Sequence, residues 1–193
     1  MEPVRPADPR EAAWNLKLLA SLTAVGIAMA DTAFLYSPSR ALLGLIVLCT
    51  LGFLVALCAW RTLWCRRCWT IAESLTPGSL RDGRALAAGA WFIPLANLWL
   101  PRRILSDIRR ASGLPEQGIV NLWWSAGMVV FGLSTLGGAF VSLKHAAITA
   151  ASVLVLFKAG VFVRIVNQIT NRQVEALGLP AIRRPGDPVP QGS

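Results

Sequence analysis

Four stretches of this chain are too apolar, over too great a length, to face water: Leu18 to Tyr36, Ala41 to Trp60, Ile119 to Leu143 and Ala146 to Val163. Each is close to or above the ~20 residues that a helix needs to cross about 30 Å of hydrocarbon at about 1.5 Å per residue. A soluble helical bundle would show polar faces recurring about every 3.6 residues, and these stretches show almost none. The overall balance agrees, with 54% hydrophobic and 15% charged residues where soluble domains carry about 45–50% and about 25%. The expected fold is therefore an all-α membrane protein with four transmembrane helices, a short Pro-broken re-entrant or interfacial segment, and amphipathic surface helices.

The formal charge of +9 would suggest nucleic acid in a soluble protein. Here the arginines collect between the apolar blocks, where they orient the chain and meet anionic lipid. No basic-aromatic strand pattern or helix-turn-helix module is present, so nucleic acid is not an expected partner. The lipid bilayer is, with anionic lipids at the cytoplasmic face, and a membrane protein partner or self-association stays open beside it.

Domain organisation follows from the same pattern. Residues 1–13, with Pro3, Pro6 and Pro9 among mixed charges, read as a disordered tail; 14–175 form one helical membrane domain; and 176–193 form a Pro-rich tail. Ala28-Met29-Ala30 would pass as a signal-peptide cleavage site, but apolar character resumes through Phe34 and completes a span. Ser37 to Arg40 makes a tight connection. The polar stretch after Trp60 places Trp64, Cys68, Ile71, Ala72 and Leu75 on one stripe, the pattern of a short helix lying on the membrane surface. Arg102 to Ser112 sets Ile104, Leu105, Ile108 and Ala111 against arginines in the same way, closed by Gly113, Leu114 and Pro115. Trp123 and Trp124 mark the cytoplasmic end of the span that follows.

The block Ala85 to Leu100 is the anomaly, being short, interrupted by Pro94 and Asn97 and stopped by Pro101. Charge decides its topology. If it does not cross, Arg and Lys on one side number three in residues 1–17, five in 61–84, four in 101–117 and four in 164–193, against only Arg40 and Lys144 on the other. If it does cross, the division is nine and nine. The positive-inside rule favours four spans, both termini in the cytoplasm, and a third segment that enters without crossing.

Several residues are candidates for chemistry. Cys65-Arg66-Arg67-Cys68 is a CxxC whose arginines favour a reactive thiolate, yet a zinc site needs about four ligands and no others are at hand. Asp31 lies near the outer end of the first span, where an exposed carboxylate is costly, and Lys158 lies in the last span, six residues before Arg164, within reach of the inner interface by snorkelling. Helical rise places Asp31 about 10–15 Å further out than Lys158, which argues against a direct pair. The run Trp91-Phe92-Ile93-Pro94-Leu95-Ala96-Asn97-Leu98-Trp99-Leu100-Pro101 is the most specific constellation. Pro94 and Pro101 free backbone carbonyls that Asn97 is placed to satisfy, or the broken helix lines a solute path. No nucleophile elbow, phosphate loop, zinc-protease motif or carboxylate pair occurs, so no catalytic residue, metal or cofactor is expected.

The run Ala90 to Pro101, continued through Asp107 and Arg110-Ala111-Ser112, resembles the DUF4328 family of bacterial, mainly actinobacterial, membrane proteins. Trp60-Arg61, and Arg164 with Thr170 and Gln173, are looser matches, and together they cover residues 14–175. Arg109 stands where the family usually has a tryptophan, and Arg102 follows Pro101 where an aromatic is frequent; both changes predict a basic face rather than a deeply buried one. The cysteine pair is not part of the motif. The resemblance implies a multi-pass protein of the bacterial cell membrane and supplies no reaction. Three readings are compatible with it: a scaffold or partner-binding subunit, a small-solute or ion conduit using Asp31, Asn97 and Lys158, and a membrane thiol oxidoreductase using Cys65 and Cys68.

Overall fold

The computed structural model describes residues 8–36, 39–89, 98–115, 118–140 and 143–179. Among them are six helices: α1 Arg10–Tyr36, α2 Arg40–Leu75, α3 Arg84–Gly89, α4 Leu100–Ala111, α5 Gly118–Ala139 and α6 Lys144–Ala176. Four of these, α1, α2, α5 and α6, are long and apolar enough to cross a membrane. Of their most apolar windows no more than 22% is buried, and large side chains such as Leu48, Val55, Phe131 and Val153 point outward on every side. In water that surface would be a severe aggregation hazard; in a bilayer it is the ordinary lipid-facing wall.

α1 packs along both α2 and α6, and α6 along α5. Small residues make the close approaches, with Ala20, Thr23 and Ala24 of α1 and Ala147 and Ala151 of α6 all buried, as expected where van der Waals contact rather than hydrophobic exclusion joins helices. A Cβ on Gly26 would come within 2.9 Å of the Thr50 hydroxyl on α2. α1 begins at Arg10, four residues ahead of the expected Trp14, because Asp8 accepts the Arg10 N–H at 2.9 Å and Ala12 and Ala13 are buried against neighbouring helices.

The main departure from expectation is the fate of the first amphipathic stretch. Residues 61–75 are not a separate surface helix; they continue α2 without a break to Leu75. Nothing from Phe53 to Leu75 is Gly or Pro, and a change from apolar to polar composition alters the surroundings of a helix without ending it. α6 likewise continues past Arg164 to Ala176, where Gly178 at φ 62° allows the Leu179 N–H to reach the Val174 carbonyl. At 36 and 33 residues, α2 and α6 are about 54 and about 50 Å long, well beyond the about 30 Å of hydrocarbon.

α4 is amphipathic as expected, and its apolar face is covered by protein. Its Ile104, Leu105, Ile108 and Ala111 pack into the projecting ends of α2 and α6 and the start of α5, together with Leu16, Trp64, Cys65, Cys68, Val120, Ile165 and Ile169. Most of the largest fully buried side chains among the described residues lie here, and the cluster forms a helical platform at one end of the spans. α4 ends at Ala111 and is closed by Gly113, whose φ of 70° lets the Leu114 N–H bond back to the Arg109 carbonyl. Trp91, Pro94 and Asn97 lie outside the described residues, as does the course of the broken segment; Pro101 is described, buried in the first turn of α4 where its missing N–H costs nothing.

Candidate functional site

The platform is held by polar side chains as well as apolar ones. Trp64 Nε1 donates to Thr170 Oγ1 at 3.2 Å. Gln173, fully buried, donates through Nε2 to the Cys68 carbonyl at 2.9 Å and to Ser112 Oγ at 3.1 Å, tying α6 to α2 and α4. Asp107, only 6% exposed, faces Arg110 at 3.5 Å and Arg81 at 3.9 Å, so the two positions singled out from the sequence, Asp107 and Arg110, do meet. Asp82 faces Arg103 at 3.2 Å and takes the Trp69 indole on its backbone carbonyl at 3.0 Å. These bonds fasten the loop after α2 to α4.

Arg109 overturns the expectation of an exposed basic face. It is buried, its Nη1 donating to Gln168 Oε1 at 2.5 Å and Nη2 to the Pro115 carbonyl at 3.3 Å. Burial pushes its pKa below the ordinary arginine value. A guanidinium held by neutral partners is costlier to bury than a ring, so Arg109→Trp is expected to leave stability unchanged or raise it by about 1–2 kcal/mol. Arg109→Ala, which opens a void and strands Gln168, is expected to lose about 2–3 kcal/mol. Thermal melts of the three proteins in one detergent check the order; an equal loss in both variants would contradict it.

Cys65 and Cys68 form no disulfide and have no exposed surface, in the middle of this core. A thiol that exchanges must meet its partner, and these cannot without opening the platform. Among the described residues no group of three or more His, Cys, Asp and Glu is positioned for a metal.

The second feature lies within the spans. A cavity of about 270 Å³ is lined from all four long helices, by Thr23 and Ile27 of α1, Leu57 and Arg61 of α2, Trp123 of α5, and Lys158 and Phe162 of α6 among others. The Trp123 and Phe162 rings lie side by side, centroids 5.6 Å apart. Each carries a cation: the Lys158 ammonium stands 5.3 Å from the Trp123 centroid and the Arg61 guanidinium 4.8 Å from that of Phe162. Side chains on a helix lean toward its N-terminus, which sends both cations toward the middle of the spans. Lys158 thereby carries its ammonium away from Arg164 and toward the N-terminal half of α6, the opposite direction to the snorkelling that its position in the sequence suggests. Its ammonium rests on Gly127, where a Cβ would come within 2.8 Å of Nζ. Holding a charge at that depth costs about 2.5–3.5 kcal/mol even by lenient scales, which the two aromatic faces only partly offset.

Asp31 stands apart. Its Oδ2 accepts from Ser152 Oγ at 2.6 Å, about 9 Å of helical rise from Lys158, with Ile27, Val130 and Val155 lining the cavity between the two levels. Sequence reasoning names Arg61 and Lys158 separately but has no means of joining them, and it passes over Thr23, Gly127 and Phe162 entirely. It marks Trp123 only as an interface anchor.

No curated protein and no solved structure matches this chain. A domain of unknown function, DUF4328, matches residues 29–183. That match runs from the C-terminal third of α1 through both projecting helices and past the end of α6, taking in the platform and most of the cavity wall. An all-α protein with four long apolar helices, matched over most of its length, belongs to the DUF4328 family.

Proposed function

We propose that this is a non-enzymatic, partner-binding scaffold of the bacterial cell membrane, with both termini and the helical platform in the cytoplasm. The observation that supports it most directly is where rigidity has been placed. The largest buried side chains, among them Trp64, Leu105, Ile108, Ile165 and Gln173, cluster in the projecting ends of α2 and α6 and in α4. A bare anchor needs no such core outside the hydrocarbon; a platform that presents a fixed surface does. Its rim is basic, with Arg66, Arg81, Arg103, Arg110 and Arg172 exposed, which suits anionic headgroups below it and favours the cytoplasmic side.

The conduit reading has less support, because among the described residues the charged groups of the spans, Asp31 on one side and Lys158 with Arg61 on the other, fall at two levels separated by aliphatic side chains. The thiol reading has less again, with both sulfurs buried.

Orientation is tested by single cysteines at Arg103 and Leu143 in a chain whose native cysteines are replaced by serine or alanine. Arg103→Cys should resist an impermeant maleimide in intact cells and react after lysis, and Leu143→Cys should react in both. The reverse pattern would place the platform outside. Photo-crosslinkers at Arg103 and Arg172 should then give a discrete adduct above monomer mass that a crosslinker at the lipid-facing Leu48 does not; its absence from all platform positions would overturn the scaffold reading.

A further inference from the structure

The cavity among the four spans has a lining that a scaffold does not require. Lys158 lies fourteen residues after the start of α6 at Lys144, about 21 Å along the helix, so its charge is well inside the hydrocarbon. Arg61 lines the same cavity from α2. Like charges brought together in a medium of low dielectric repel strongly. Among the described residues no Asp or Glu lines this cavity, and the only acid within the spans, Asp31, is engaged by Ser152 at the other level. Lys158 has no hydrogen bond or ion pair among the described residues, its contacts being the Trp123 ring and the space above Gly127.

A third polar group faces the same space. Thr23 is 3% exposed, lines the cavity, and its Oγ1 has no partner among the described residues. The chemistry of these groups is one-sided. An ammonium offers donors and no acceptor, a guanidinium adds a second positive charge and likewise no acceptor, and the threonine hydroxyl can rotate its O–H toward a ligand. A lining with two cations, a rotatable hydroxyl and no carboxylate complements a group that accepts and is itself negative, which is a carboxylate or a phosphate. The rest of the wall is apolar and aromatic, suited to the carbon chain that such a group carries in a membrane. The volume of about 270 Å³ lies just under the about 300–1,000 Å³ of small-molecule sites, enough for one head group and the first part of a single chain, and too little for a whole two-chain lipid.

We propose that the cavity is a binding site for a single oxyanion, the carboxylate or phosphate head of a membrane amphiphile or a free anion of the same chemistry, held by Lys158, Arg61 and the Thr23 hydroxyl between the Trp123 and Phe162 rings. Gly127 belongs to the site as the position whose missing side chain leaves room for the ammonium. The site is independent of the scaffold reading and uses none of the platform's surface.

The test uses the full chain purified in a neutral maltoside detergent, with dodecyl phosphate, inorganic phosphate and dodecyltrimethylammonium as probes, followed by thermal shift and by microscale thermophoresis. Dodecyl phosphate should bind saturably and raise the melting temperature, and the cationic amphiphile should do neither. Lys158→Met should weaken binding at least tenfold while melting, without ligand, at or above the wild-type temperature, since a costly buried charge has been removed. Thr23→Val should weaken it about threefold. If Lys158→Met does not fold, Gly127→Ala, which displaces the ammonium without removing it, should give the same direction of effect. Competition by inorganic phosphate at matching concentration assigns the site to a free oxyanion, and its failure to compete assigns it to the amphiphile; both outcomes uphold an oxyanion site. No saturable binding of either phosphate, or undiminished binding by both Lys158→Met and Gly127→Ala, would overturn it.

Discussion

Trp64→Ala is expected to cost the protein about 3–5 kcal/mol, enough to disorder the platform while leaving the spans inserted. Trp64 has no exposed surface and is the largest of the fully buried side chains. It sits where the projecting ends of α2 and α6 meet, with its indole N–H on Thr170, so truncation opens the largest void available in the core and leaves a buried hydroxyl with one partner fewer. The surrounding helices are poorly placed to collapse into the space, because α2 and α6 are each anchored in the bilayer by about thirty ångströms of continuous helix. Trp64→Phe, which keeps most of the volume and loses only the hydrogen bond, is expected to cost about 1–2 kcal/mol. Limited proteolysis separates platform from membrane: cleavage near Thr76 and Gly113 should accelerate in Trp64→Ala, with the helical signal of the spans retained. Equal protease resistance in wild type and Trp64→Ala would mean that the platform core is not what holds this end together.

The stripe that contains Trp64 marks how far helical periodicity carries. Trp64, Cys68, Ile71 and Ala72 share one apolar face by their spacing alone, and all four are fully buried. Periodicity reports which face leaves water, and it is silent on whether lipid or protein covers that face. The stripe therefore reads as a helix on the membrane surface, whereas its true cover is α4 and α6, nearly forty and a hundred residues away in sequence. Arg109 misleads for a related reason. Charge normally marks an exposed position, and the partner that permits its burial, Gln168, is supplied by another helix. The four spans are legible because they depend on local composition. The cavity is not: Arg61 and Lys158 come together only because α2 and α6 run in the same direction at a particular register, which Trp64 with Thr170 and Cys68 with Gln173 display and no single stretch of sequence contains.

Gln173 carries the second large effect, and here the charge of the replacement rather than its size decides the outcome. Gln173→Met keeps the length of the side chain and removes an amide oxygen that has no partner among the described residues. The groups it abandons have other bonds, since the Cys68 carbonyl is within α2 and Ser112 Oγ already donates to the Ile108 carbonyl at 2.8 Å. Replacing a polar group by an apolar one of like shape is then nearly neutral, and a change within about 1 kcal/mol is expected. Gln173→Glu is isosteric but turns two donors into an acceptor, pointed at a backbone carbonyl in a site with no exposed surface. Such a glutamate is held neutral by burial, its pKa in the folded protein lying above the about 4.3 it has when unfolded. The sign follows from proton binding: between those two pKa values the folded state holds the proton and the unfolded state does not, so stability falls by about 1.4 kcal/mol for each pH unit above about 4.3 until the folded group ionises. At pH 7 the loss relative to Gln173→Met should reach about 3 kcal/mol, and it should shrink to under about 1 kcal/mol near pH 4.5. Melting temperatures of the two variants measured in parallel from pH 4.5 to 8 give the comparison directly, with shared acid effects on the rest of the protein cancelling. A difference that stays constant across that range would show that the residue at 173 is solvated, and that α2, α4 and α6 do not close around it.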